Sequence, residues 1–276
     1  QPYNPSMKIY FLGPFGTNSD LAARHIFKET QYNFIPLRSI EDIFEKVALS
    51  HAYYGVIPFE NSHQGVINSS LNGLIDYDLK ITKELNFKII HSFCSNNVAF
   101  ENVTKIASHP QVFGQCNDWL KRNYPSAEKV VCTSTAEAAE MAKHDSSIFC
   151  IANDYAKDLF NLNMHETNIQ DSDNNVTRFL VIGKMIENKG KDNKTSIMIN
   201  LSDKPGSLLS ILKPFAENDI NMTRIETRPS RNNDFQHTFF IDFEGYYEDD
   251  KVVRLLSTLE QMSKELRIIG SYEILY

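Results

Sequence analysis

Glu187-Asn188-Lys189-Gly190-Lys191-Asp192-Asn193-Lys194 is a run of charged, amide and glycine residues, none of which can add to a hydrophobic core. Such a run reads as a linker. It divides the 276-residue chain, longer than one ordinary domain, into a large unit and a small one.

Downstream of the linker, residues 195–201 have the pattern of a strand, and Asp203-Lys204-Pro205-Gly206 then turns the chain into a helix. Leu208, Leu209, Leu212 and Phe215 are expected on one face of that helix. Strands follow at 220–226 and 238–243, the second alternating Phe239, Ile241 and Phe243 on one side. A helix from about Asp250 is expected to bury Val252, Leu255, Leu256, Leu259 and Met262 before a last strand at 268–274. The order βαββαβ predicts a ferredoxin-like sandwich, an architecture that fixes no function by itself.

Upstream, strand patterns at 8–12, 34–37, 55–58, 88–93, 105–107, 129–132, 148–151 and 177–182 alternate with helical ones at 19–27, 40–48, 112–122, 136–143 and 154–160. This is an α/β unit with mostly parallel sheets, a class that binds ligands beyond the carboxyl ends of its strands.

Composition narrows the partners. A formal charge of −7 disfavours a nucleic-acid surface, and 42% hydrophobic content is ordinary for a folded chain. The four cysteines are too widely spaced for a zinc or dithiol site and read as buried thiols. No segment has the length of a membrane span, and the apolar run 9–12 is too short for a signal peptide, so a cytoplasmic protein is expected.

Five segments sit where an α/β ligand site would lie. Gly13-Pro14-Phe15-Gly16-Thr17-Asn18-Ser19 joins the first strand to the first helix and offers free amides with the Thr17 and Ser19 hydroxyls. A serine-capped turn explains it equally well, and it has neither dinucleotide nor P-loop spacing. Pro58-Phe59-Glu60-Asn61-Ser62 is a polar loop after a strand. Ser108-His109-Pro110-Gln111 and Ser134-Thr135-Ala136-Glu137 open helices, the latter as a capping box. Asn174-Asn175-Val176-Thr177-Arg178-Phe179 enters the last strand, where Arg178 beside Thr177 has the chemistry to clamp a carboxylate or, more plainly, to make a structural ion pair. No cluster has metal-ligand spacing, and no cofactor is expected.

Taken in order, GPFGTNS, PFENS, SHPQVFGQC, STAEAA and NNVTRF resemble prephenate dehydratase over residues 7–184, in its monofunctional form. DKPGSLLSIL at 203–212 and INMTRIETRP at 220–229 resemble the ACT regulatory domain appended to that family. The resemblance implies two lobes like a type II periplasmic binding protein, at about 7–80 plus 167–184 and at 81–166, then a linker at 185–194 and the ACT domain at 195–276. It places the catalytic position on Thr177, flanked by Arg178 and Phe179. Thr17, Ser19, Asn61, Ser62, Gln111, Ser134, Thr135 and Asn175 would bind prephenate in the cleft. Thr177 is the expected donor to the departing ring hydroxyl, Arg178 the expected holder of the pyruvyl carboxylate. Glu60 and His109 lie where a proton source could be.

For the small domain the resemblance implies L-phenylalanine as an allosteric inhibitor. Its carboxylate would meet Pro205, Gly206, Ser207 and Leu208, and the rest of it Asn221, Met222, Glu226 and Thr227, in a homodimer or homotetramer. Asn18, Phe59 and Thr227 depart from the family pattern, which bears on selectivity and inhibitor affinity. The rival readings are arogenate dehydratase and a two-lobed sensor without catalysis.

Overall fold

Ile9, Tyr10 and Phe11 are buried in succession, as expected of a strand covered on both faces. They form β1 (Lys8–Leu12) in a computed structural model that describes residues 7–28, 32–99, 101–229 and 237–276. The chain continues through α1 (Asn18–Ile26), β2 (Asn33–Leu37), α2 (Ile40–Val47), β3 (Tyr53–Asn61), β4 (Gly65–Val66), α3 (Asn68–Asp76) and β5 (Lys80–Lys88). These elements and the returning β11 (Val176–Gly183) make the first lobe.

Between β5 and β11 lies the second lobe. It comprises β6 (Ser92–Ser95), β7 (Lys105–Ser108), α4 (Pro110–Gln115), α5 (Asn117–Asn123), β8 (Glu128–Val131), α6 (Thr135–His144), β9 (Ile148–Ala152), α7 (Asp154–Leu159) and β10 (Asn163–Thr167), with its own sheet in the order β10-β6-β9-β7-β8. The strand expected at 88–93 is two strands in two sheets, so the first crossing falls at 89–91 and not at 80. The sheets are mixed and not mostly parallel, because β11 returns antiparallel between β3 and β5. All four cysteines are free and buried, and burial pushes the Cys94 and Cys116 thiols up to about 12.

The small unit is β12 (Asn193–Leu201), α8 (Ser207–Glu217), β13 (Met222–Pro229), β14 (His237–Glu244), α9 (Asp250–Met262) and β15 (Glu265–Leu275), the expected βαββαβ order. Phe239, Ile241 and Phe243 face Ile211, Phe215, Val252, Leu255 and Leu259 under the helices. On α8 the buried residues are Ile211, Pro214 and Phe215, whereas Leu208 and Leu209 are exposed. On α9 Met262 is likewise exposed.

The linker expected at 185–194 has neither helix nor strand as far as 192, and only its end differs. Asn193 and Lys194 already belong to β12, and the Asp192 carbonyl accepts from the Ile274 amide at 2.9 Å. A segment without apolar side chains can still pair its backbone. The small unit's sheet then continues into the first lobe: the main sheet runs β13-β14-β12-β15-β5-β11-β3-β1-β2, with β15 parallel to β5. Gly270 permits this approach, since a Cβ there would lie 2.5 Å from the Ile81 carbonyl oxygen. Phe240, Met198, Ile269 and Tyr272, on the face away from the small unit's helices, share one core with Phe59, Leu71, Ile81 and Leu180. Among the described residues no helix is long and apolar enough to cross a membrane.

Candidate active site

Thr177 and Asn61 are direct partners across β11 and β3, so their side chains share a face. The Asn61 amide donates one hydrogen to the Thr177 hydroxyl oxygen at 2.9 Å and the other to the Asn175 side-chain oxygen at 2.9 Å. Asn175 donates onward to the Gln115 side-chain oxygen at 3.0 Å, which also accepts from His91 Nε2 at 2.6 Å. An amide oxygen only accepts, so the His91 proton sits on Nε2. Burial lowers the His91 pKa, with the Gln115 bond opposing, which favours the neutral ring. Because Thr177 accepts from Asn61, its own O–H is left to donate.

His91 sits at the crossing between the lobes, where its carbonyl accepts from Ile169 of the returning segment at 3.2 Å and its amide donates to Gln170 at 3.0 Å. Gln115 and His91 were not among the sequence candidates. Gln115 lies one helical turn after Gln111 in the same motif, and it is Gln115 that reaches the cluster. Gln111 is exposed, its amide held by His109 Nδ1 at 3.2 Å. His109 thereby caps α4.

The other candidates divide by role. Ser62 is exposed and stitches the loop to β11, its hydroxyl donating to the Asn174 carbonyl at 2.7 Å and accepting from the Val176 amide at 3.0 Å. Thr17 caps α1, donating to the Leu12 carbonyl at 3.0 Å and accepting from Asp20 at 3.2 Å. Ser19 is buried beside it. Ser134 caps α6, which begins at Thr135, by accepting from the Glu137 amide at 3.0 Å. Thr133 and Ser134 close, from the second lobe, a cavity of about 520 Å³ whose first-lobe wall includes Gly13, Pro14 and Arg38. Arg38 is an exposed guanidinium on that wall.

The lobes touch through Asn153, whose amide donates to the Gly16 carbonyl at 3.1 Å and to Asn18 at 3.0 Å. Gly16 has φ +91 and lies against Ala136, Leu159 and Phe160, so a side chain there would be strained.

Arg178 is the main correction. Its guanidinium pairs with Glu84, with Asp242 at 2.7 Å and with the Tyr272 hydroxyl at 3.0 Å. Burial opposes its charge, but Asp242, Tyr272 and Glu84 outweigh that and raise its pKa. It is 7% exposed and turned to the small unit, so it does not reach a carboxylate in the cleft. A β-bulge sets this up: Phe59 and Glu60 of β3 oppose Arg178 alone. Glu60 therefore pairs with Arg224 of β13 and not with the cleft. Phe179 is a core residue against Phe87.

The model of the family described as prephenate dehydratase matches residues 9–187, and that of the ACT domain matches residues 195–260. The chain belongs to the prephenate dehydratase family. The bifunctional chorismate mutase/prephenate dehydratase of Pseudomonas aeruginosa is 37% identical over 96% of this chain and 73% of its own length. The prephenate dehydratase of Methanocaldococcus jannaschii is 34% identical over 96% of this chain and 97% of its own. The structure of an Arthrobacter aurescens prephenate dehydratase in complex with L-Phe superposes with TM-score 0.86 at 28% identity, over 97% of this chain and 90% of that one.

In the ACT domain, Gly206 (φ +83) caps α8 without a side-chain hydrogen bond; the Ser207 amide is spent on the Lys204 carbonyl at 3.1 Å, which leaves the Leu208 and Leu209 amides open beside exposed Pro205. The Ser207 hydroxyl is turned back to the Ser202 carbonyl at 2.7 Å. On the edge strand β13 and just before it, Asn221 donates to Glu244 at 3.1 Å, Met222 packs against the core, Glu226 accepts from Arg224 at 2.6 Å, and Thr227 is exposed. The two motifs thus stand on separate elements of the domain.

Proposed function

We propose that this chain converts prephenate to phenylpyruvate, carbon dioxide and water and is restrained by L-phenylalanine at its ACT domain. The observation that carries the reading is the Asn61–Asn175–Thr177 cluster at the lobe boundary, joined by Gln115, where three ordered family motifs meet a free hydroxyl donor.

Loss of carbon dioxide releases the electron pair of the ring–carboxylate bond into the ring. The pair aromatises it and expels the ring hydroxyl, which leaves as water after taking one proton. Thr177 serves the departing oxygen, a task for a donor within about 3 Å. Asn61 fixes where that donor points, and the proton is drawn ultimately from solvent. The ring carboxylate is best left without a tight cation, because pairing would stabilise charge that the reaction removes. With Arg178 turned away, Arg38 is the side chain that suits the pyruvyl carboxylate. The ammonium of L-phenylalanine suits Glu226, and its carboxylate suits the open amides of α8. The two motifs stand on separate elements, and a site that joins them across two copies of the chain suits a homodimer or homotetramer; the same reading puts the enzyme in the cytoplasm.

Purified protein given prephenate should release phenylpyruvate, at a rate that falls when L-phenylalanine is added. Turnover of arogenate in preference to prephenate would shift the substrate, and binding of prephenate without product would leave a sensor.

A further inference from the structure

The geometry points to Arg224, in the ACT domain, as a positioning residue for the dehydratase site, acting through Glu60 on Asn61 and Thr177. Its two terminal nitrogens hold two carboxylates on different elements. One pairs with Glu60 at the end of β3, the other with Glu226 of β13 at 2.6 Å. The guanidinium also lies 5.7 Å from the Phe59 ring, which Arg178 approaches at 4.9 Å. The Arg224 side chain is 13% exposed, while the Glu60 and Glu226 side chains keep about a third of their surface in water, 31% and 36%.

The bulge gives these contacts their consequence. Phe59 and Glu60 face the ACT sheet, and the next residue, Asn61, faces the cleft and holds the Thr177 hydroxyl at 2.9 Å. The main chain at the end of β3 is held by pairing to β11 and β4 and by the Ser62 hydroxyl, whereas the Glu60 side chain at the bulge takes its direction from Arg224. Release of Glu60 would relax the bulge beside Asn61, whose amide is shared between Thr177 and Asn175, and so shift the direction of the donor. A displacement of about 1 Å at a reacting group can cost about a hundredfold.

Glu226 makes the same guanidinium a link to the sensing strand. An amino acid whose ammonium pairs with Glu226 competes with Arg224 for that carboxylate, and the guanidinium left with Glu60 alone shifts the end of β3. This step rests on the reading of residues 203–229 as the effector site.

The test is a double-mutant cycle of Arg224→Gln and Glu60→Gln, with Arg224→Lys as the conservative variant. It reads initial rates of phenylpyruvate formation, thermal unfolding, and L-phenylalanine binding by equilibrium dialysis. Each single change is expected to lower kcat about tenfold with KM within about twofold, and the double variant to lose no more than either single one. Arg224→Lys keeps a charge for Glu60 and should recover kcat to within about threefold of wild type. Arg224→Gln should still bind L-phenylalanine while its inhibition at saturation falls by about half or more. Unchanged kcat, losses that multiply in the double variant, or loss of binding together with inhibition would overturn the assignment. If Arg224→Gln does not fold, Glu60→Gln and Arg224→Lys carry the same comparison. Absence of product from the wild type would overturn the dehydratase reading itself and this role with it, an outcome distinct from full turnover by Arg224→Gln.

Discussion

The first lobe meets two neighbours, and it meets them by opposite means. Towards the second lobe the contact is made by cap residues and amides, with Asn153 on Gly16 and Asn18, and the chain crosses twice without sharing a sheet. Towards the ACT domain the sheet is continuous, Phe59 packs on Phe240, and Arg178 is locked among Glu84, Asp242 and Tyr272. A few neutral amide contacts cost less to part than buried charges do, even though Asn153 itself is buried. One junction is built to open around a substrate and the other to hold, so an effector signal has a stiff path to β11 and β3 and a compliant cleft to act on.

The largest effect should come from breaking the stiff junction. Asp242→Asn leaves the Arg178 charge underpaired in the interior and is expected to destabilise the fold by about 3–5 kcal/mol, seen in denaturant unfolding. A loss below about 1 kcal/mol would mean that the junction is not locked. Next is the cleft chemistry: Thr177→Ala should lower kcat by about a hundred- to a thousandfold with KM little changed, as measured with prephenate. Arg38→Met is expected to raise KM about tenfold while kcat holds, the result of losing one charge-assisted contact to substrate. Asn153→Ala tests the compliant junction; because Asn153 also caps α7 through the Ala156 amide, it should cost about 1–2 kcal/mol in denaturant unfolding and raise KM with prephenate as well.

The smallest effect concerns pH. Burial holds the His91 pKa below its ordinary 6.5. In the window between the folded and unfolded values the unfolded chain binds the proton and the folded chain does not. Stability from this group is therefore full above about 6.5 and lost as pH falls below it. Melting curves from pH 8 to 5.5 should show that slope, and His91→Asn should flatten it.

Much of this was legible along the chain because it depends on local pattern. The βαββαβ order follows from periodicity, Phe239, Ile241 and Phe243 from alternation, and the Thr177 strand from its motif, whereas the loop read at 58–62 is strand as far as Asn61, with Phe59 in the core. What misled was locally ambiguous. Leu208 and Leu209 read as core because a leucine-rich turn gives no sign of which side meets the sheet; the core kept Phe215 as expected and took Ile211 in their place. Gln111 and Gln115 lie one turn apart on one helix, and only the packing of α4 against the hinge selects the second.

By itself the sequence determined the two units, their element order and the polar residues that collect at strand ends, since these follow from spacing and residue type. Tertiary structure decided what each of two adjacent residues is for. Thr177 and Arg178 are neighbours in one motif, yet strand alternation and the bulge at Phe59 send one to the cleft and the other under the ACT sheet. It also joined the two units in one sheet through β15 and β5, because hydrogen bonding between backbones does not depend on the side chains a sequence displays.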